Sequence, residues 1–438
     1  MAGVSLAWLL DGERDVVLLE ARDEIGGNVQ SVDVNVDGHQ VVVDMGAQYF
    51  HPGPYPVYTA LLSQLGIYPP AANVPEQSHS FPASISLADA SEPTPRFLSP
   101  VFNTRIWPLF APWNFSGLIA FAVAFAAARE RELRGESWTV TLEEWLPTLG
   151  LAREQWEGMI LPWAASLFSG SIEQARTLSA RGAMIFAAKA LPQNPFDPIL
   201  YYVLNRGMAE ALDRMVAQCS TVQVLTSASV KRISRGPHGG FRIHRTSGQT
   251  IAVDDLVLAS SGPNTLRLLS GVPGTGPQQA ALRGIEFHDA RLALHTDPVY
   301  VPPEEYFWSF LNCRIQDAYC EASMWLAPVL TDVPPAIGTK LWKSWVTHRD
   351  RQPAQVLHET AFKHMLPTAA TIRAQGELRS LQGQDGIWLA GGYMYPYDSQ
   401  ETALRSAIRV AHGLHATNRA QTLPGFDSEL TEFDTSVR

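Results

Sequence analysis

Apolar and polar positions follow two periods along this chain, and the places where the period changes mark its organisation. Residues 2–10 (AGVSLAWLL) are apolar, open with small residues and close on Asp11-Gly12, which predicts a short helix packed tightly on a sheet. Asp15 to Glu20 (DVVLLE) is a continuous apolar run ended by an acid, as expected of a buried parallel strand. Gly26-Gly27 follow in a loop, and residues 29–43 alternate around Asp37-Gly38, which predicts a β-hairpin. From about 70 to 100 the chain is rich in Pro, Ser and Ala and reads as an irregular excursion. Residues 115–134, 141–149 and 172–190 read as helices, with Thr141 and Glu144 spaced for a capping box.

Near residue 206 the pattern returns to alternating helix and strand. Gly207 to Cys219 predicts a helix, Val222 to Leu225 and Ala228 to Ile233 short strands, Phe241 to Ile251 a hairpin, and Asp254 to Ala259 a second buried strand. Between 291 and 348 lie the strand-like runs RLALHT, EYFWSFLN, YCEASMWL and TKLWKSWVTH. A last strand, Trp388 to Ala390, runs into Gly391-Gly392, and Glu401 to Leu414 predicts a helix. Nucleotide-type α/β pieces therefore sit at the start, at 200–275 and at 385–415, with helical and antiparallel pieces inserted between them. With 438 residues, two domains are expected.

Composition narrows the function classes. Hydrophobic residues make up 46% and charged residues 17%, which fits a globular protein and disfavours disorder. The net charge is -10, and the densest basic stretch, Arg129 to Arg134, alternates with Glu, so nucleic acid is not an expected partner. Cys219, Cys313 and Cys320 form no CxxC pair, which argues against a metal site or disulfide framework and fits a reduced, cytoplasmic setting. MAGVSLAWLL lacks a basic segment and a cleavage site, so a signal peptide is not expected. The apolar run Gly117 to Ala128 is too short for a bilayer span of about 20 residues, which leaves room only for peripheral membrane contact. Oligomeric state stays open.

The candidate chemistry lies at the two ends. A helix following a Gly-rich turn places its N-terminus on a pyrophosphate, and an acid about 20 residues on binds ribose hydroxyls. Glu20 is placed as that acid. Gly3 is placed as the last glycine of the turn, with the first two glycines and the first strand absent. Gly26-Gly27 permit close backbone approach to a phosphate, with Ala21 and Arg22 between them and the acid.

These residues carry a resemblance. LLEARDEIGGNVQSV resembles the signature of flavin amine oxidase-like proteins, and MAGVSLAWLL resembles the end of their Gly-rich turn. The likeness continues through VDMGAQYFHPGPYPVYTALLSQLGI, LNRGMAEALDRM, SASVKRI and DDLVLASSGPNTLRLL. ALHTDPVYVPP and EYFWSFLN resemble stretches of a subgroup known only as NAD/FAD-binding. IWLAGGYMYPYDSQETALRSAIRVA resembles the family's closing FAD signature. The likeness is strong at both ends and thin from 70 to 200.

The resemblance implies an FAD-dependent oxidoreductase. The implied fold is an α/β protein with a discontinuous Rossmann-type FAD-binding domain (1–68, 200–285 and 383–438). Inserted into it is an α+β substrate-binding domain (69–199 and 286–382) containing an antiparallel sheet and helices. Gly3, Glu20, Ala21, Arg22, Gly26, Gly27 and the Val230 backbone would hold the cofactor. So would Gly391 and Gly392, with Glu401, Thr402, Ala403 and Leu404 opening a helix beneath the flavin. Lys343, like Lys340, is a candidate by position for the lysine of amine oxidases, although a structural or surface role is the better reading of both. Tyr393 and Tyr397, with Tyr395 between them, are candidates for rings flanking the flavin; His295 and His348 read as ordinary core or surface histidines. Trp107, Trp113, Trp163, Trp308, Trp325 and Trp345 favour an apolar or aromatic small-molecule substrate. The expected reaction is hydride removal from a C–H bond, with desaturation or isomerisation of a lipid-like substrate as the alternative. A third reading, from another class, is a flavin-less binding or scaffold relic.

Overall fold

The computed structural model describes residues 1–68, 77–102 and 104–424. The first helix, Ala2–Leu10, buries nearly every residue, as its uninterrupted apolar composition requires. Its Gly3 fits between Ala259 and Leu18; a Cβ there would lie 3.2 and 3.4 Å from those side chains. The strand Val16–Leu19 pairs in parallel with Val222–Leu225, and Leu256–Leu258 pairs in parallel with Ile387–Leu389. Among the described residues, Val16–Leu19 and Leu256–Leu258 each have a strand partner on one edge only.

The chain ends are tied together on this side. The first helix packs against the closing helix, Gln400–Gly413, in one hydrophobic cluster. Arg419 donates to the Trp8 carbonyl at 2.7 Å and pairs with Asp11 at 3.0 Å. Glu13 accepts from the amides of Thr417 and Asn418.

The middle of the chain builds a seven-stranded sheet. Its order is Val356–Met365, Phe287–His295, Trp342–Trp345, Tyr319–Trp325, Leu311–Gln316, Ile85–Asp89 and Phe97–Leu98. All its pairs are antiparallel except Leu311–Gln316 with Ile85–Asp89. The helices Phe115–Leu133, Leu161–Phe168 and Ala180–Ala190 contribute to the same core as this sheet. The expected hairpin is Ser31–Val36 with His39–Asp44, turning at Asp37-Gly38. The Thr141 capping box forms in both directions, at 3.2 and 2.8 Å.

Several local expectations need correction. The stretch read as irregular contains the strands Ser78–Pro82 and Ile85–Asp89; part of it, 69–76, lies outside the described residues. Their partners, Leu200–Leu204 and Leu311–Gln316, are remote in sequence, and nearby Pro and Ser hide the alternation of ISLAD. The span 172–190 is two helices, broken where Ser179 caps the second by accepting from the Gly182 amide. In EYFWSFLN the strand begins only at Leu311. The helix Ala369–Ser380 and the strand Val356–Met365 went unforeseen, as did the helical stretch through Leu161–Phe168.

Candidate functional site

A single cavity of about 2040 Å³ runs from the parallel strands into the core beneath the seven-stranded sheet. Gly3, Glu20, Ala21, Arg22, Gly26, Gly27, Val230, Gly391, Gly392, Tyr393 and Ala403 all line it. Residues near 20, 230 and 391 thus meet in one space, although hundreds of residues separate them.

Glu20 ends the strand Val16–Leu19, and its Oε1 accepts from the Arg22 amide at 2.9 Å. Arg22 in turn donates to the Gly27 carbonyl at 2.9 Å, which folds 20–27 into a compact loop. Gly26 and Gly27 have φ of 150° and 65°, and a Cβ on Gly26 would strike the Val29 carbonyl. On the opposite side the Gly391 amide donates to Ser406 Oγ at 2.8 Å, and a Cβ on Gly391 would lie 2.6 Å from the Tyr393 ring. A Cβ on Gly392 would run into the Asp398 carboxylate, which also lines the cavity. Burial pushes Asp398 up to about 6, against the opposing pull of the Met1 amino group. That amino group donates to the Gly26 carbonyl at 3.2 Å. These glycine cradles, with an acid at a strand end and a helix opening toward the cavity, fit a dinucleotide held by backbone.

Other candidates lie elsewhere. Glu401 is fully buried and turned toward the helix Pro56–Gln64, accepting from the amides of Val57 and Tyr58 at 3.2 and 2.7 Å and pairing with Arg405 at 2.7 Å. It caps that helix and does not line the cavity. Thr402 and Leu404 are also off the lining. The amides of Thr402 and Ala403 are taken by Ser399, at 3.2 and 3.0 Å, so the helix presents its positive end more than free donors. Tyr397 sits behind Phe186, edge-on at 5.7 Å, and stacks on Trp138. Tyr393 lines the cavity, and burial pushes its hydroxyl up to about 12.

Lys343 is buried in the strand Trp342–Trp345 and donates to the Asp44 carbonyl oxygen at 2.7 Å, away from the lining. Burial pushes the amine well below its ordinary range and the Asp44 carboxyl above its own. Lys340 is exposed and pairs with Asp37. His295 is buried against Ser344 Oγ at 2.8 Å, and His348 stacks on Tyr319.

The far end of the cavity is an aromatic chamber. Tyr49 packs 4.6 Å from Tyr201 and 5.4 Å from Phe310, with Phe121, Phe125, Phe186, Trp163 and Trp345 also on the walls. Of the six tryptophans singled out, only Trp163 and Trp345 reach it. The charged walls here are Glu130 and Asp197, which are exposed, Arg129, which is partly buried and donates to the Pro192 carbonyl at 3.1 Å, and Lys363, paired with Asp289. His364 faces the chamber in its neutral form, because burial pushes it down to about 4. Tyr49, Tyr201, Phe310 and His364 carried no sequence signal; each lies in a different segment, and only tertiary pairing brings them together.

Residues 1–291 match the family described as flavin containing amine oxidoreductase. No curated protein sequence matches the chain. Among solved structures, a putrescine oxidase bound to putrescine is 16% identical with a TM-score of 0.65, covering 95% of this chain and 97% of that one. A fatty acid isomerase from P. acnes is 13% identical with a TM-score of 0.65, covering 94% and 96%. A cyclohexylamine oxidase from Brevibacterium oxydans is 13% identical with a TM-score of 0.61, covering 94% and 97%. These structures share the mixed α/β fold. With two thirds of its length matched by that family, the chain belongs to the flavin-containing amine oxidoreductases and is an FAD-dependent oxidoreductase.

Proposed function

We propose that this enzyme oxidises a C–H bond of an apolar substrate held in the aromatic chamber. Segments 1–68, 200–285 and 383–438 would grip one FAD, and the inserted segments would hold the substrate. The observation that carries this reading is the wall chemistry. Aromatic and aliphatic side chains surround the chamber, and its charged groups are exposed or already bonded to the protein. A cationic amine would enter such a space at a large desolvation cost, whereas an acyl or aromatic chain would not.

Bound flavin supplies the hydride acceptor; the chain's own part is orientation and water exclusion. Tyr393 and Phe186 both line the cavity and would help to shape it around cofactor and substrate. Neutral His364 adds no charge to the chamber wall, because burial disfavours its protonated form. Both desaturation and isomerisation fit these parts.

Anaerobic mixing with long-chain unsaturated acyl compounds and with alkylamines tests the proposal. Bleaching of the flavin band near about 450 nm by the acyl compounds supports it. Bleaching by amines alone contradicts it.

A further inference from the structure

One segment that contributes Leu109 and Leu118 to the cavity wall has its polarity turned inside out. No charged residue occurs between Arg105 and Arg129. Phe110 is 72% exposed, Ile119 55% and Phe115 48%, with Ile106, Trp107 and Trp113 also open to solvent. Tyr306, 57% exposed, packs 5.9 Å from Trp107 and extends the same patch. The polar groups here point inward. Asn114 is fully buried, accepts from the Leu98 amide at 2.9 Å and donates to the carbonyls of Leu98 and Pro108. Arg105 donates to the carbonyls of Trp308 and Ser99 and to Ser309 Oγ. The patch is therefore held rigidly, with its backbone fastened from within and its rings facing out.

The patch is also continuous with the chamber. In the helix Phe115–Leu133, Leu118, Phe121 and Phe125 form chamber wall, while Phe115 and Ile119 face solvent. Leu109, between Trp107 and Phe110, lines the same cavity. Scattered exposed apolar residues need no explanation; a contiguous aromatic cluster on the outer side of a cavity wall does. Trp and Tyr side chains suit the bilayer interface, having an apolar body and a polar tip.

We infer that the face built by Ile106–Ile119 and Tyr306 docks on the surface of a phospholipid bilayer and opens the chamber to acyl chains of membrane lipids. The acyl-chain half of this inference rests on the apolar-substrate reading above; the docking half does not. The net charge of -10, and the carboxylates of Glu304 and Glu305 beside Tyr306, select an uncharged, zwitterionic surface over an anionic one. No described helix is long and apolar enough to cross a membrane, so docking is by shallow insertion of side chains.

Flotation of the purified chain with phosphatidylcholine vesicles tests docking directly. The wild type is expected to float, with little response to salt. The F110E/I119E double variant is expected to lose more than about tenfold in vesicle partition, since two large side chains no longer enter an apolar phase. Its melting temperature and flavin content should match the wild type, because both residues are solvent-exposed. A wild type left at the bottom of the gradient overturns the proposal, as does equal flotation of both proteins. So does a wild-type dimer that the double variant converts to monomer, which would identify the occupant as a second copy. Flotation with neither flavin reduction by vesicle lipid nor a change in the position or number of its double bonds would keep the docking face and remove the acyl-chain substrate.

Discussion

The two ends of the cavity are built from opposite materials. At the strand end the walls are glycine and backbone, with Gly3, Gly26, Gly27, Gly391 and Gly392 leaving space where side chains would stand. At the chamber end the walls are large rings from at least five separate segments. Backbone recognition suits a ligand with many oxygen atoms, because amides and a helix end can meet them at close range. Ring walls suit a ligand with few polar atoms. The difference implies that one half recognises a cofactor common to a family while the other sets the substrate, so substitutions in the two halves should separate FAD retention from substrate response.

The largest expected effect is at Glu401. Glu401→Ala removes the acceptor for two helix amides and leaves Arg405 without this partner, a loss of about 3–5 kcal/mol in urea unfolding. Because Glu401 fastens the closing helix to Pro56–Gln64, FAD retention should fall with stability, while a folded remainder keeps its substrate preference.

Gly392→Val is next. Its side chain enters the space of the Asp398 carboxylate, and overpacking of this kind is worth about 1–3 kcal/mol. Fluorescence titration should show FAD affinity reduced by about ten- to hundredfold. Unchanged affinity would break the proposed division between the two ends.

Lys343 sharpens the comparison because it belongs to neither wall. Burial lowers its pKa in the folded chain to about 7 from 10.5. Above about 7 the unfolded chain therefore binds more protons, and this group's contribution to stability rises with pH toward 10.5. Lys343→Met removes that slope. The urea midpoint of the wild type should rise relative to that of the variant between pH 6 and pH 9. FAD content should be unchanged and kcat within about threefold, because Lys343 does not line the cavity. A hundredfold drop in kcat would return Lys343 to the reaction.

Tyr201→Phe should give the smallest effect. It keeps the ring against Tyr49 and Phe310 and changes only a hydroxyl, so KM for an apolar substrate should move by less than about threefold with FAD content constant.

The glycine-walled end of the cavity was largely legible in the sequence because its signals are local. A small-residue helix, an acid-ended apolar strand, paired glycines and a strand–glycine–helix ending each lie within one short window. The exception, Glu401, shows the limit. An acid at a helix start beside a glycine turn reads as cofactor-facing, and only the arrival of Pro56–Gln64 from the other end of the chain gives its carboxylate another partner. Lys343 was visible as a lysine in an apolar strand, but its Asp44 carbonyl partner comes from a hairpin far away in sequence. The chamber was hidden for the same reason. Tyr49, Tyr201 and Phe310 look like ordinary core rings until the sheet brings Ile85–Asp89 beside Leu311–Gln316.

Flavin per chain, measured side by side in the wild type, Glu20→Ala and Phe186→Ala, tests the central claim most directly. The account predicts close to one FAD in the wild type and in Phe186→Ala, and a clear loss in Glu20→Ala. A wild type that refuses FAD, or a Glu20→Ala protein that holds it while Phe186→Ala does not, would contradict it.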